Sequence, residues 1–303
     1  MLSFSENLSD VEAAFSEFRD RYGITPPSEV ADELMRKIAL LGLFTTRSPL
    51  RLERSFPQRR FKPKTSEAVD IGQNVRALLG VGDEEPLFDL PALLLEKFGV
   101  SVFQIANLAH VSGGCAKLAG TTCIFVANEN QIDALFNCAH QLGHLVLLNL
   151  YGKHGVSLDV CSAGLCTPKP PYEHFADVFA LEVLIPKRAL GIALKEIRTL
   201  FKVRFDGVSE VELLYLSRLF GVSFLAAAKR CEREKLLPPG AAITFEKTLC
   251  QEFGGPEERA VLLDLPGRVP VTIDALPRLS DLEIQPEVSS LSRKQIAKAL
   301  TAS

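Results

Sequence analysis

Apolar side chains recur at helical spacing through much of this chain. Val11, Ala14, Phe15 and Phe18 share one face. After Pro26 and Pro27 the stripe resumes at Val30, Leu34, Ile38 and Leu41, so residues 9–44 predict one or two helices. Over 45–65 the pattern stops. Pro49, Pro57 and Pro63 break it, and Arg47, Arg51, Arg54, Arg59, Arg60, Lys62 and Lys64 fill it. The plain reading is a solvated connector, with a phosphate-contacting arm as the alternative. Regularity returns at Thr65. Helices are expected over 66–80 and 89–98, the second closed by Gly99. Residues 100–105 and 121–126 read as strands, rich in β-branched and aromatic side chains, with a turn at Ser112, Gly113 and Gly114 between them. Asn128 and Asn130 can cap a helix that has Asp133 in its first turn and runs to about Leu150. A loop is expected over 151–169. Pro171 then opens a helix and Pro186 ends it. Helical periodicity continues over 187–236, and 261–265 and 269–273 are candidate strands. Strands and helices in this order predict an α+β fold with a small mixed sheet and helical appendages.

Composition narrows the function classes. The 303 residues are 47% apolar and 23% charged, ordinary for a globular chain. A net charge of −3 gives no global basic field for nucleic acid. No apolar run is long enough to span a bilayer, and the N-terminus lacks the basic start and apolar core of a signal peptide. A cytoplasmic location without membrane partners is therefore expected. The seven cysteines, at 115, 123, 138, 161, 166, 231 and 250, are irregularly spaced. They read as small buried hydrophobes rather than disulfides or a zinc knuckle.

One segment carries chemistry. His140 and His144 stand at i and i+4 on the helix that runs to about Leu150, so both rings lie on one face and can converge on one ion. Alone, such a pair is more simply explained as two hydrogen-bonded core histidines. Glu173 changes the balance. It follows His144 by 29 residues, near the start of the next helix, where a His₂Glu site takes its carboxylate. Asp177, one turn on, can accept a hydrogen bond from the outer nitrogen of a ligating histidine, most plausibly His140. A solvated face explains Glu173 and Asp177 poorly, because Phe175, Val178 and Phe179 leave little of that helix polar.

The run Ala139-His-Gln-Leu-Gly-His-Leu-Val-Leu147 resembles the A-H-E-L-G-H-L-x-L core of the ImmA/IrrE zinc peptidases. The run from Glu173 to Pro186 is similar to their later E-x-x-A-[ND]-x-F-A-x-x-L-L-x-P signature, and the likeness covers roughly 66–190. The stretch 211–223 resembles the helix-turn-helix-like segment that follows such cores. The resemblance implies a thermolysin-like core, Zn²⁺ held by His140, His144 and Glu173, and endopeptidase action on a helix-turn-helix repressor that controls stress, mobile-element or defence genes. Together with the pattern at the two ends, which the resemblance does not cover, it divides the chain into an N-terminal helical region and basic linker (1–64), a peptidase core (65–190), a helix-turn-helix-like segment (191–240) and a C-terminal α/β extension (241–303).

Gln141 departs from that pattern. The family has glutamate there, which takes a proton from the attacking water and hands it to the leaving amine. An amide has the same shape but is no base near neutral pH. Metal binding should survive while hydrolysis fails. An inherited loss and a deliberate Glu-to-Gln exchange look alike in sequence, and the intact ligand set favours a recent or deliberate change. The alternative function is a non-catalytic module that sequesters a repressor or binds DNA.

Secondary candidates remain. Cys115 could fill a fourth metal position and hold the site latent, although a buried or solvent-facing thiol is the simpler reading. Strand 121–126 is expected at the sheet edge, where an extended substrate could pair. His154 could stabilise an oxyanion; His174 points about 100° from Glu173 around its helix, and His110 reads as incidental. Arg218, Lys229, Arg230, Arg233 and Lys235, interleaved with Glu232 and Glu234, make a weak basic patch that favours packing over DNA reading.

Overall fold

The computed structural model describes residues 8–9, 11–13, 16, 28–41, 44–45, 51–60, 62–105, 111–118, 121–127, 132–153, 155–160, 170–202, 207–276 and 283–284. In chain order the elements are α1 (Ser28–Leu41), β1 (Phe44–Thr45), α2 (Leu52–Ser55), α3 (Thr65–Leu79), α4 (Leu90–Leu93, continued by a wider π turn over Leu94–Phe98), β2 (Ser101–Ile105), β3 (Val111–Leu118) and β4 (Thr121–Ala127). There follow α5 (Ala134–Leu150), β5 (Gly155–Val160), α6 (Pro171–Leu184), α7 (Lys187–Phe201), α8 (Glu210–Leu219), α9 (Phe224–Arg233), α10 (Ala241–Phe253), α11 (Pro256–Leu262) and β6 (Glu283–Ile284). The architecture is α+β. Two compact units interleave along the sequence. One gathers Met1–Thr65, Asp89–Asp177 and Thr272–Ser303, the other Ser66–Phe88 and Val178–Val271.

The first unit is built on a four-stranded mixed sheet in the order β2-β4-β3-β5. β2 runs parallel to β4, and β3 runs antiparallel to both β4 and β5. Side chains alternate across the faces. Gly113 and Lys117 of β3 face α5: a Cβ on Gly113 would come 3.6 Å from Gln141 Cγ, and Lys117 donates to Asn149 Oδ1. Phe103 and Phe125, in register with each other and with Gly114, lie on the other face, where α1 packs and Lys37 sits over the Phe103 ring. Leu34, Ile38 and Ala39 of α1 and nearly every residue of α5 are buried. The sheet is thus covered on both sides, so β4 reads as continuous apolar sequence rather than an alternating one.

Three sequence expectations change here. Ser112, Gly113 and Gly114 form no turn; they lie inside β3. The strand at 121–126 is no sheet edge, since β3 pairs along it on one side and β2 on the other. The expected loop at 151–169 contains β5, whose Val156, Leu158 and Val160 show the period-2 signal. Glycine explains the first error. At Gly113 any Cβ would meet Phe125 O at 2.7 Å, so this strand position needs glycine for close approach rather than for a turn. Gly113→Ala is expected to destabilise the chain by about 1–3 kcal/mol through forced displacement of β4, read as a lower urea midpoint at unchanged m-value.

The second unit is helical. Arg76 of α3 is fully buried, and its guanidinium donates to Val183 O at 2.5 Å, Glu85 O at 2.7 Å and Gly82 O. Burial lowers its pKa while Asp83, Glu182 and Glu85 oppose that shift. Arg230 of α9, also buried, donates to Ile185 O at 2.7 Å and to Glu182 Oε2 at 2.8 Å. α8 and α9 are bent by 108° around Gly221, helix-turn-helix geometry. Ser209 and Glu212 close a capping box on α8, and Ser223 caps α9. α9, which would be the reading helix, buries Phe224, Ala226, Ala227, Ala228, Arg230 and Cys231 against α8 and α10. Arg218 is likewise turned inward onto Glu257 and Pro266 O. Arg218 and Arg230 serve packing, while Lys229 and Lys235 are exposed.

The C-terminal strands expected at 261–265 and 269–273 are not formed. Val261 and Leu262 end α11, and 269–273 has no regular structure. Pro256 with Glu257 and Glu258 behind it was a helix-start signal in the sequence. No single helix among the described residues is long and apolar enough to cross a membrane.

Candidate metal centre

α5 presents His140 and His144 one turn apart, 3% and 5% exposed, with ring centroids 4.8 Å apart and planes at 70°. Such burial of polar rings requires partners. Phe136, a turn earlier, places its ring 6.2 Å from His140. The remaining polar groups come from α6. Proline at its first position has no N–H to leave unsatisfied and is preset for helix. Glu173 in that first turn and Asp177 one turn on are half-buried, pointing toward the same place.

The distances define the chemistry. His140 Nε2 and His144 Nε2 are 3.0 Å apart, and Glu173 Oε2 and Oε1 lie 3.3 Å and 3.5 Å from them respectively. Ligands about 2.0–2.1 Å from a common tetrahedral centre stand about 3.3 Å from one another. On the outer side, His140 Nδ1 is 3.1 Å from Asp177 Oδ1. The carboxylate places the ring proton on Nδ1 and leaves the Nε2 lone pair facing inward. Neutral His140 therefore aims a lone pair at a carboxylate oxygen, a repulsive contact that a cation between them removes. Burial alone would raise the Glu173 carboxyl. Where the two rings instead carry protons toward it, their hydrogen bonds and charge outweigh burial and hold it well below the usual carboxylate range, a role that a bound cation would take over. His140, His144 and Glu173 could hold a metal ion, and their donors fit one.

Gln141 is wholly buried beside His140, and neither its Nε2 nor its Oε1 has a hydrogen-bond partner among the described residues. An orphaned buried amide costs about 1–3 kcal/mol, so its neighbourhood suits a further polar group. Gly113 opposite leaves room for the side chain. The sequence gives no hint of Gly113's part, nor of Tyr172, whose exposed ring lies 6.2 Å from His144. Only residue position next to Glu173 could have suggested Tyr172.

Other expected residues lie elsewhere. Cys115 is fully buried in β3, in register with Ile124 and Ser157, and is not among the clustered ligand groups. Cys115 thus stands in a strand interior, not in the loop from which a latent fourth ligand was expected to fold inward. Burial pushes the Cys123 and Cys138 thiols up to about 12, which makes them inert packing groups. His174 is exposed, with Nε2 3.2 Å from Thr65 Oγ1. His110, Asn128, Asn130, His154, Cys161 and Cys166, together with Ala14, Phe15, Phe18, Pro26 and Pro27, fall outside the described residues.

Residues 95–232 match the family model of the IrrE N-terminal-like domain, a peptidase family, and the matched range contains the whole cluster. No curated protein sequence matches the chain.

Proposed function

With residues 95–232 belonging to the ImmA/IrrE family of metallopeptidases, we propose that the chain binds zinc through His140, His144 and Glu173 and is built to cleave a protein substrate at that centre. The convergence of two imidazole lone pairs and one carboxylate at tetrahedral spacing carries the reading. Bound there, zinc supplies Lewis acidity toward a peptide carbonyl and acidifies water. Asp177 fixes the His140 tautomer and raises the basicity of its inner nitrogen. Residue 141 occupies the general-base position, and Gln141 can orient a polar group by hydrogen bonds without taking its proton. Among the described strands the sheet ends at β2 and β5 rather than β4, and Ala275 bridges β2 at Val102, so an extended substrate segment would add at β5. The substrate class is a helix-turn-helix repressor, on the strength of the resemblance alone.

Gln141 favours a second reading, a non-catalytic module that holds its partner in the same cleft without cutting it. The two separate on Gln141→Glu assayed with the partner protein: cleavage gained supports the peptidase, and unchanged binding without cleavage in a zinc-loaded chain supports the module. Asp177→Asn is expected to weaken zinc affinity about 10- to 100-fold, measured by competition with a chromophoric chelator. Unchanged affinity would remove Asp177 from the site.

A further inference from the structure

Segment 51–64 carries six basic side chains, Arg51, Arg54, Arg59, Arg60, Lys62 and Lys64, against the single carboxylate of Glu53, a net of +5 in a chain of net −3. The segment is anchored. Leu52 and Phe56 are buried, and Arg59 N donates to Leu150 O at 3.0 Å, across the C-terminal end of α5. Gln58 lies against Gly152, and exposed Lys153 follows there with its ammonium over the Tyr151 ring. Arg51, Arg54, Arg60, Lys62 and Lys64 are all exposed, and among the described residues none of them has an acidic partner. The carboxylate in the segment is itself drawn toward Lys117.

The helix end accounts for little of this charge. A helix C-terminus is equivalent to roughly half a negative charge, a fraction of one cation. A merely solvated face would mix signs, and this one does not. A fixed excess of about five positive charges needs a polyanion. Anionic lipid is the poorer match, because surface-bound segments also insert apolar side chains, and the apolar side chains described here, Leu52 and Phe56, point into the fold. Single-stranded nucleic acid wants exposed rings for base stacking, and the described positions of 51–64 expose none. Among the described residues of 51–60 and 62–64 the cations stand without an exposed ring, which suits a duplex phosphate backbone contacted without reading sequence.

We propose that residues 51–64, with Lys153, form a docking surface for the phosphate backbone of duplex DNA. This surface does not depend on the metal centre. Its test is fluorescence anisotropy of the full-length chain with a labelled mixed-sequence 20-bp duplex between 50 and 200 mM salt. Five neutralised phosphates give a slope of log K against log salt of about −4.5, or about 500-fold weaker binding across that range. Changing Arg60, Lys62 and Lys64 together to Gln should make the slope shallower by about 2.7, and changing Arg51 and Arg54 to Gln by about 1.8. Both variants should keep the parent melting midpoint and metal content, since the altered side chains are exposed. Absence of duplex binding at 50 mM salt would overturn the proposal. So would an unchanged slope in both variants, or tighter binding to a single-stranded homopolymer, to phosphatidylserine vesicles or to an acidic protein than to the duplex.

Discussion

Replacing His140 with alanine is expected to reduce bound zinc from about one ion per chain to a trace, by elemental analysis after chelator-free purification. The expectation rests on geometry. His140 Nε2 is the donor nearest to both other ligands, at 3.0 Å from His144 Nε2 and 3.3 Å from Glu173 Oε2. Two remaining donors do not enclose a tetrahedral ion. The loss should also appear in stability. A ligand that binds only the folded chain stabilises it by about 4 kcal/mol at a thousand times its Kd. Chelator should therefore lower the parent's melting midpoint and leave that of His140→Ala unmoved. Gln141→Ala, which removes no donor, should retain the ion. A parent chain without metal, or a variant that keeps it, would mean that the cluster is satisfied by its own hydrogen bonds, and the zinc reading would fall.

The second large effect is expected from Gln141→Glu. A positioned general base contributes typically about 10²- to 10⁴-fold to rate, so cleavage absent in the parent should become measurable in the variant, with little change in KM. The same substitution should have opposite structural consequences with and without the ion. Gln141 is 0% exposed and its amide has no partner among the described residues. A carboxylate there in the metal-free chain is a buried charge, and burial would raise its pKa. A zinc ion held by the neighbouring histidines would offset that cost. The melting midpoint of Gln141→Glu should thus fall below the parent's in chelator and approach it in zinc. Equal midpoints in both conditions, with no cleavage of any partner, would detach residue 141 from the centre and leave the binding module as the better reading.

Much of the site could be read from local pattern. The i, i+4 spacing put His140 and His144 on one face whatever the tertiary fold, because 3.6 residues per turn leave no other arrangement. Pro171 and Pro186 marked α6 to within two residues, and Gly99, at φ +68°, closed α4 as its place after an apolar run implied. These features are short-range. Prolines, caps and periodicity act within a turn or two, so the sequence carries them openly.

Most of the errors were in non-local pairing. Gly113 and Gly114 look like a turn until β4 is placed beside them, since a glycine demanded by a backbone 2.7 Å away is the same letter as one demanded by a bend. Once β3 was missed, strand 121–126 had to become an edge, Cys115 a loop residue and β5 a loop. The C-terminal helices failed differently: Val261 is β-branched and Leu262 apolar, but they end a helix started by Pro256 and two glutamates. Sequence by itself determined the helices from α3 to α6, the residue types of the candidate ligands and the amide at position 141. Only the tertiary structure decided the strand order, the pairing of Asp177 with His140 Nδ1, the burial of Gln141 over Gly113 and the inward turn of Arg218 and Arg230. The reason is physical: a strand edge, a second hydrogen-bond partner and a buried charge are each defined by atoms far away in the chain, and no local period encodes which distant atoms those will be.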